Sequence, residues 1–163
     1  VALRANTRRI LRAYNASVEG AGRDEVLEEL LGRRAQNLWI EPPFYCDYGV
    51  NITVGRNVYF NFDCVVLDVA PVTIGDDCMF APAVQIYTAT HTLDPVARKS
   101  GREYAKPVAI GSDVWVGGGS IINPGVTIGD AAVIGSGSVV TKDIPPGGFP
   151  AGNPARGVRR IVG

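Results

Sequence analysis

The chain is poor in several things that catalysis, targeting and broad electrostatic binding draw on. Its 163 residues include one histidine, one methionine and three cysteines, and 16 Lys+Arg balance 16 Asp+Glu. A net charge of zero supplies no field that would hold nucleic acid or an acidic membrane surface. No apolar run is long enough to span a bilayer, and no signal-peptide pattern opens the chain. One histidine, His91, cannot build a three-histidine zinc site, so no metal is expected. Cys46, Cys64 and Cys78 lack metal-ligand spacing too; Cys64 and Cys78 fall on inward hexad positions, so buried, reduced thiols are expected there, and a cytoplasmic setting with them. Because the chain opens on Val1 and its one methionine is Met79, the natural start is expected to lie upstream.

What is present is a ruler of six. An aliphatic residue recurs at Ile110, Val116, Ile122, Ile128, Ile134 and Val140, and four places after each comes a second small or apolar residue, from Val114 to Ile144. Neither a helix of period 3.6 nor an alternating strand of period 2 repeats in sixes, whereas a hexapeptide parallel β-helix does. Each hexad supplies a short strand and a corner. Gly117, Gly129 and Gly135 follow aliphatic positions, and positive φ is expected there. Less regular hexads start at Val54, Phe60 and Val66, and a two-residue insertion around Ala70 and Pro71 resets the ruler to Ile74, Phe80 and Ile86.

The expected fold is mainly β: a left-handed parallel β-helix over residues 50–145, with a lead-in and helical cap over 1–49 and a tail over 146–163. Residues 3–14 read as a helix with Leu3, Ile10, Leu11 and Tyr14 on one face, ended by Asn15 and by Gly20 to Gly22. A second helix is expected from about Asp24, with Val26, Leu27, Leu30 and Leu31 as its stripe and Gly32 as its stop. Two short helices cannot fold alone, so they should cover the open end of the coil. The ruler breaks over 88–107, a polar excursion without hexads, and long excursions in compact domains are often functional.

His91 stands where the coil gives way to that excursion, a position suited to a general base, although a surface loop histidine fits equally simply. Beyond a glycine-lined wall at Gly117 to Gly119 come Lys142, Arg156, Arg159 and Arg160, cations of the kind that a long anionic ligand would need. A solvated basic tail is the competing reading.

The stretches E-P-P-F-Y-C-D-Y-G, N-F-D-C-V-V-L-D, I-Y-T-A-T-H, I-G-S-D-V-W-V-G-G, I-I-N-P-G-V-T-I-G-D, V-V-T-K-D-I-P-P and G-N-P-A-R resemble the maltose and galactoside O-acetyltransferases nearly end to end. The resemblance implies a homotrimer with active sites between adjacent subunits, acetyl-CoA as donor, a sugar hydroxyl as acceptor, and direct transfer without an acyl-enzyme. It makes His91 the base and Asn61 a contact to acceptor and reacting centre, where its amide can donate to developing negative charge. It places Trp115 beside the reaction centre, and Gly118, Ser136, Thr141, Lys142, Arg156 and Arg159 along the coenzyme. Asp47, Asp68 and Glu103 fall at or near positions that meet the sugar. V-L-D-V at Val66 to Val69 is similar to the maltose type, since the galactoside type carries a second acid after Asp68. The chain begins too late to show the family's N-terminal acceptor-binding aspartate. Corner roles for Asn61 and the three acids, and a subunit-interface role for Trp115, stay open at this point. So do another acceptor (an oligosaccharide, an antibiotic or a nodulation-type sugar) and a non-catalytic scaffold.

Overall fold

The computed structural model describes residues 2–17 and 23–161, so the expected break at Gly20 to Gly22 lies outside the described residues. Three parallel sheets form the faces of a left-handed coil. The first face stacks Trp39–Ile40, Tyr59–Phe60, Met79–Phe80, Trp115–Val116 and Val133–Ile134. The second stacks Phe44–Cys46, Cys64–Leu67, Gln85–Tyr87, Ile121–Ile122 and Val139–Val140. The third stacks Ile52–Val54, Val72–Ile74, Val108–Ile110 and Thr127–Ile128, and Ile144 bridges onto Ile128.

Both hexad positions point inward: Val116, Ile122, Ile128, Ile134 and Val140 are buried, as are Val114, Ser120, Val126, Ala132 and Ser138. Each fully buried aliphatic side chain contributes about 1.5–3 kcal/mol. Phe60 stacks on Phe80 at 4.4 Å in the wider early coils, with Phe44 edge-on at 5.7 Å. Coil length follows the ruler. Val116 sits under Ile134, 18 residues on, whereas Phe60 sits under Phe80, 20 residues on, because of the two-residue insertion.

The glycine expectation needs correction. Gly117, Gly129 and Gly135 do not have positive φ; the left-handed residues come two places later, at Asn57, Asp63, Asp77, Ala83, Asp113, Gly119, Gly125, Ala131 and Gly137. At Gly117 and Gly129 the residue after the aliphatic position is glycine because the next backbone lies against it, while Asn61, Ala81, Asn123 and Thr141 hold the same place elsewhere. A Cβ on Gly117 would stand 2.6 Å from Ser136 N and 2.7 Å from Ile134 O. The corner turns at the third place after the aliphatic residue, where Asn and Asp tolerate αL nearly as glycine does.

Both ends of the coil are covered. Helix α1 (Ala2–Ala16) and helix α2 (Arg23–Leu31) close the first coil, and Gly32 ends α2 at φ +66. Leu3 is exposed, contrary to expectation. Thr7 takes the inward place and donates to Tyr48 O at 2.9 Å, because α1 approaches the first coil through a backbone carbonyl. Asn15 does not break α1; its amide donates to Phe44 O and accepts from Phe44 N, both at 2.9 Å, and so completes the open strand edge. Tyr14 and Arg23 donate to Ile40 O. At the far end the expected tail is an antiparallel ribbon, Gly148–Ala151 with Arg156–Arg160.

We expect Gly117→Ala to lower stability by about 2–3 kcal/mol through backbone collision, and Gly119→Ala, at φ +68 in open space, by about 1 kcal/mol. Urea unfolding of the two variants measures the order; equal losses would remove the close-approach explanation.

Candidate active site

The three faces meet at three edges, and the candidate residues separate by edge. On the first edge, between the first and second faces, Asn61 follows Phe60, and Gly118 and Ser136 follow in later coils. The corners stack directly: Ala83 N donates to Phe62 O at 2.8 Å, Gly119 N to Pro82 O at 2.9 Å and Gly137 N to Gly118 O at 2.8 Å. Asn61 Oδ1 accepts from Phe62 N at 2.8 Å, which orients the side chain and leaves its NH2 as the outward donor. Trp115, half exposed at 50 %, stands on the first face next to this edge.

The second edge, between the second and third faces, carries Asp47, Asp68 and Thr88, then His91, and two coils further Thr141 and Lys142. The excursion that leaves it is ordered, not a bare loop. Ala89–Thr90 pairs antiparallel with Tyr104–Ala105, and between them runs helix α3 (Pro95–Lys99). Asp94 caps α3, accepting from Val96 N at 3.1 Å and Ala97 N at 3.2 Å. Asp94 followed by Pro95 is a helix-start pattern that the reading of 88–107 as a plain excursion passes over. This short hairpin projects His91 and brings Glu103 to it, with 4.0 Å between Glu103 Oε1 and His91 Nε2. That separation is too long for a hydrogen bond, and both side chains are exposed enough for water to weaken the pair.

The carboxylates on this edge differ in what they can do. Asp47 is open on one side and pairs with Arg4, whose Nε lies 3.2 Å away without being aimed as a hydrogen bond. Asp68 is 0 % exposed, so it cannot touch a sugar as the sequence suggested. Its Oδ1 accepts from Asp47 N at 3.0 Å and Tyr48 N at 2.8 Å. Burial raises its pKa, against the lowering effect of these amides.

At the far end, the ribbon and the last coil enclose a groove of about 760 Å³ lined by Lys142, Phe149, Arg156, Arg159 and Arg160. Arg159 lies over the Phe149 ring at 5.6 Å. Phe149 was not picked out in sequence, because nothing in its neighbours marks a ribbon fold-back. Lys142, Arg156 and Arg159 meet here; Trp115, Gly118, Ser136 and Thr141 do not line this groove.

One chain therefore does not bring His91 and Asn61 together. They stand on different edges, separated by one side of the prism, roughly 15 Å for five extended residues.

With this geometry in view, the comparisons identify the class. The family described as bacterial transferase hexapeptide (six repeats) matches residues 107–142. Nodulation protein L of Rhizobium meliloti (strain 1021) is 53 % identical over 148 residues, covering 90 % of this chain and 81 % of its own length. The crystal structure of a maltose O-acetyltransferase from Clostridium difficile 630 superposes with a TM-score of 0.96 at 48 % identity, covering 99 % of this chain and 88 % of the other. A galactoside acetyltransferase in complex with coenzyme A gives 0.92 at 39 % identity, covering 99 % and 82 %. The chain belongs to the hexapeptide-repeat acetyltransferases, closely related to the maltose and galactoside O-acetyltransferases.

None of the three thiols is placed to act as a nucleophile. Burial pushes Cys64 up to about 11, and raises Cys78 and, with help from Asp68 and Asp47, Cys46. We expect iodoacetamide at pH 8 to leave the native protein unmodified and to label all three cysteines once it is unfolded. Rapid labelling of the native protein, read by mass spectrometry, would contradict this.

Proposed function

We propose that the protein moves the acetyl group of acetyl-CoA directly to a hydroxyl of a maltose- or glucose-like sugar, with His91 as general base. The observation that carries this is the placement of the chain's one histidine on an ordered arm, on the same edge as the approach to the cationic groove. In this reading His91 takes the proton of the sugar hydroxyl as its oxygen attacks the thioester carbonyl. The free NH2 of Asn61 donates to the oxyanion that forms, and the proton passes from the imidazolium to the departing coenzyme A sulfur. Lys142, Arg156 and Arg159 receive the coenzyme phosphates, while Gly118 and Ser136 give a smooth wall with no bulky side chain for the pantetheine arm. Asp47 and Glu103 face the acceptor side. The absence of a second acid after Asp68 supports a maltose-like over a galactoside-like acceptor.

The active unit is a homotrimer in this proposal, for a physical reason. The outward residues of the third face are Thr53, Thr73, Ala109 and Thr127, whereas those of the second are Tyr45, Val65, Gln85, Ile121 and Val139. A threonine-lined face suits water, whereas the apolar second face, and the first with Trp39, Met79 and Trp115 outward, ask to be covered. If the second face of each copy turns toward a threefold axis, the first edge of one copy meets the second edge of the next. Asn61 and His91 then come from different subunits and lie one coil apart along the axis, about 4.8 Å.

His91→Ala should lower kcat by about 10²–10⁴-fold with acetyl-CoA binding retained; transfer at the wild-type rate would remove the base assignment. Arg156→Ala should raise the KM for acetyl-CoA with less effect on kcat, and an unchanged KM would remove it from the donor site. Sedimentation should give three times the 17.3 kDa chain mass. Ile121→Asp on the second face should yield folded, inactive monomer, and a monomer that stays active would overturn the shared site. Turnover across maltose, glucose, galactosides, chitin oligomers and amino-sugar antibiotics identifies the acceptor.

A further inference from the structure

A buried carboxyl on the acceptor edge has no part in the chemistry proposed above. Asp68 is wholly enclosed, and its two oxygens have different fates. Oδ1 accepts from two consecutive backbone amides, Asp47 N at 3.0 Å and Tyr48 N at 2.8 Å, while Oδ2 is buried without a partner among the described residues. Its main-chain carbonyl accepts from Asn51 Nδ2 at 2.8 Å, so the same residue holds both sides of the turn that follows Cys46. That turn presents Asp47, with the Arg4 guanidinium 4.9 Å over the Tyr48 ring and Nε 3.2 Å from the Asp47 carboxylate. On its other side Asp68 belongs to the corner joined to the base of the excursion. Thr88 Oγ1 donates to Leu67 O at 2.6 Å and accepts from Ala70 N at 2.9 Å, three residues before His91.

We infer that Asp68 is a positioning residue, which ties the turn carrying Asp47 to the corner from which the His91 arm leaves and so sets the distance between acceptor contact and base. The assignment rests on the acceptor-side reading of Asp47 and His91. A corner needs no buried carboxyl for its own sake. Corners do bury hydroxyls, as at Thr88, Ser120 and Ser138, but the other corner carboxylates are exposed or half-exposed, such as Asp76, which accepts from Arg56 N at 2.9 Å on the third edge. Enclosing a carboxyl with one oxygen unpaired is unfavourable unless the order it imposes is needed. Two hydrogen bonds from adjacent amides fix both the height and the direction of the turn, which one bond would not.

The test compares Asp68→Ala, Asp68→Asn and, as a control of equal chemistry away from the site, Asp76→Ala. Asp68→Ala should raise the acceptor KM roughly tenfold while the KM for acetyl-CoA stays at its wild-type value, because the donor groove is at the other end of the coil. Asp68→Asn keeps an oxygen for the two amides and should recover the acceptor KM to within about twofold. Asp76→Ala should change neither constant. Amide exchange followed by NMR gives a readout independent of turnover: Asp47 N–H and Tyr48 N–H should be protected in wild type and Asp68→Asn and exchange quickly in Asp68→Ala, with a shifted His91 ring resonance. Wild-type kinetics in Asp68→Ala, or a His91 resonance that does not move when the two amides are freed, would overturn the positioning role. So would equal increases in both KM values. If the wild type turns over no sugar at all, the proposed function fails on its own, and the NMR arm still decides whether Asp68 couples the turn to His91.

Discussion

Everything in this molecule depends on how closely one coil can lie on the next. Parallel strands about 4.8 Å apart leave no room for a side chain at those corners where the backbone of the next coil presses on the chain, although Asn61, Ala81, Asn123 and Thr141 keep one at others. Gly55, Gly75, Gly111, Gly117 and Gly129 meet that limit, each with backbone within 3 Å of where a Cβ would be. The chain then needs a left-handed residue two places on to reach the next face, and it uses Asn, Asp, Gly or Ala there. Between these two requirements the inward positions are fixed, and with them the apolar column that stabilises the whole.

A rigid prism has a consequence for chemistry. Its edges are rails: each hexad place visits the three edges in turn and returns to the same edge one coil higher, 18 residues on in the regular part. Groups can therefore be separated along one rail, as Lys142 and His91 are, with little strain. The cost is that groups on different rails never meet within one chain. The outward face between the two occupied rails is largely apolar, with Tyr45, Val65, Ile121 and Val139.

Irregularity is concentrated in the first coils. The regular coils from Val108 to Val140 run without a slip, while the departures cluster in the earlier coils: the two extra residues after Asp68, the arm that carries His91, and helix α1 over the first coil. Asp68 belongs to this set. Enclosed beside the insertion, it joins two irregular segments that the repeat alone would leave independent.

The sequence by itself determined the coil, its inward residues, the helices of the cap and the family, because hexad spacing and local motifs are short-range properties that stacking only reinforces. It also pointed to His91, since a sole histidine at a break in the ruler has few competitors. It could not decide which contact made each glycine necessary, that Asn15 completes a strand edge 29 residues away, that Asp68 is enclosed while Asp47 is open, or that the tail folds back to close a groove. Each of these is decided by which segments come to lie side by side. The hexad pattern is blind to that, because a carboxylate at a corner reads the same whether water or another coil covers it.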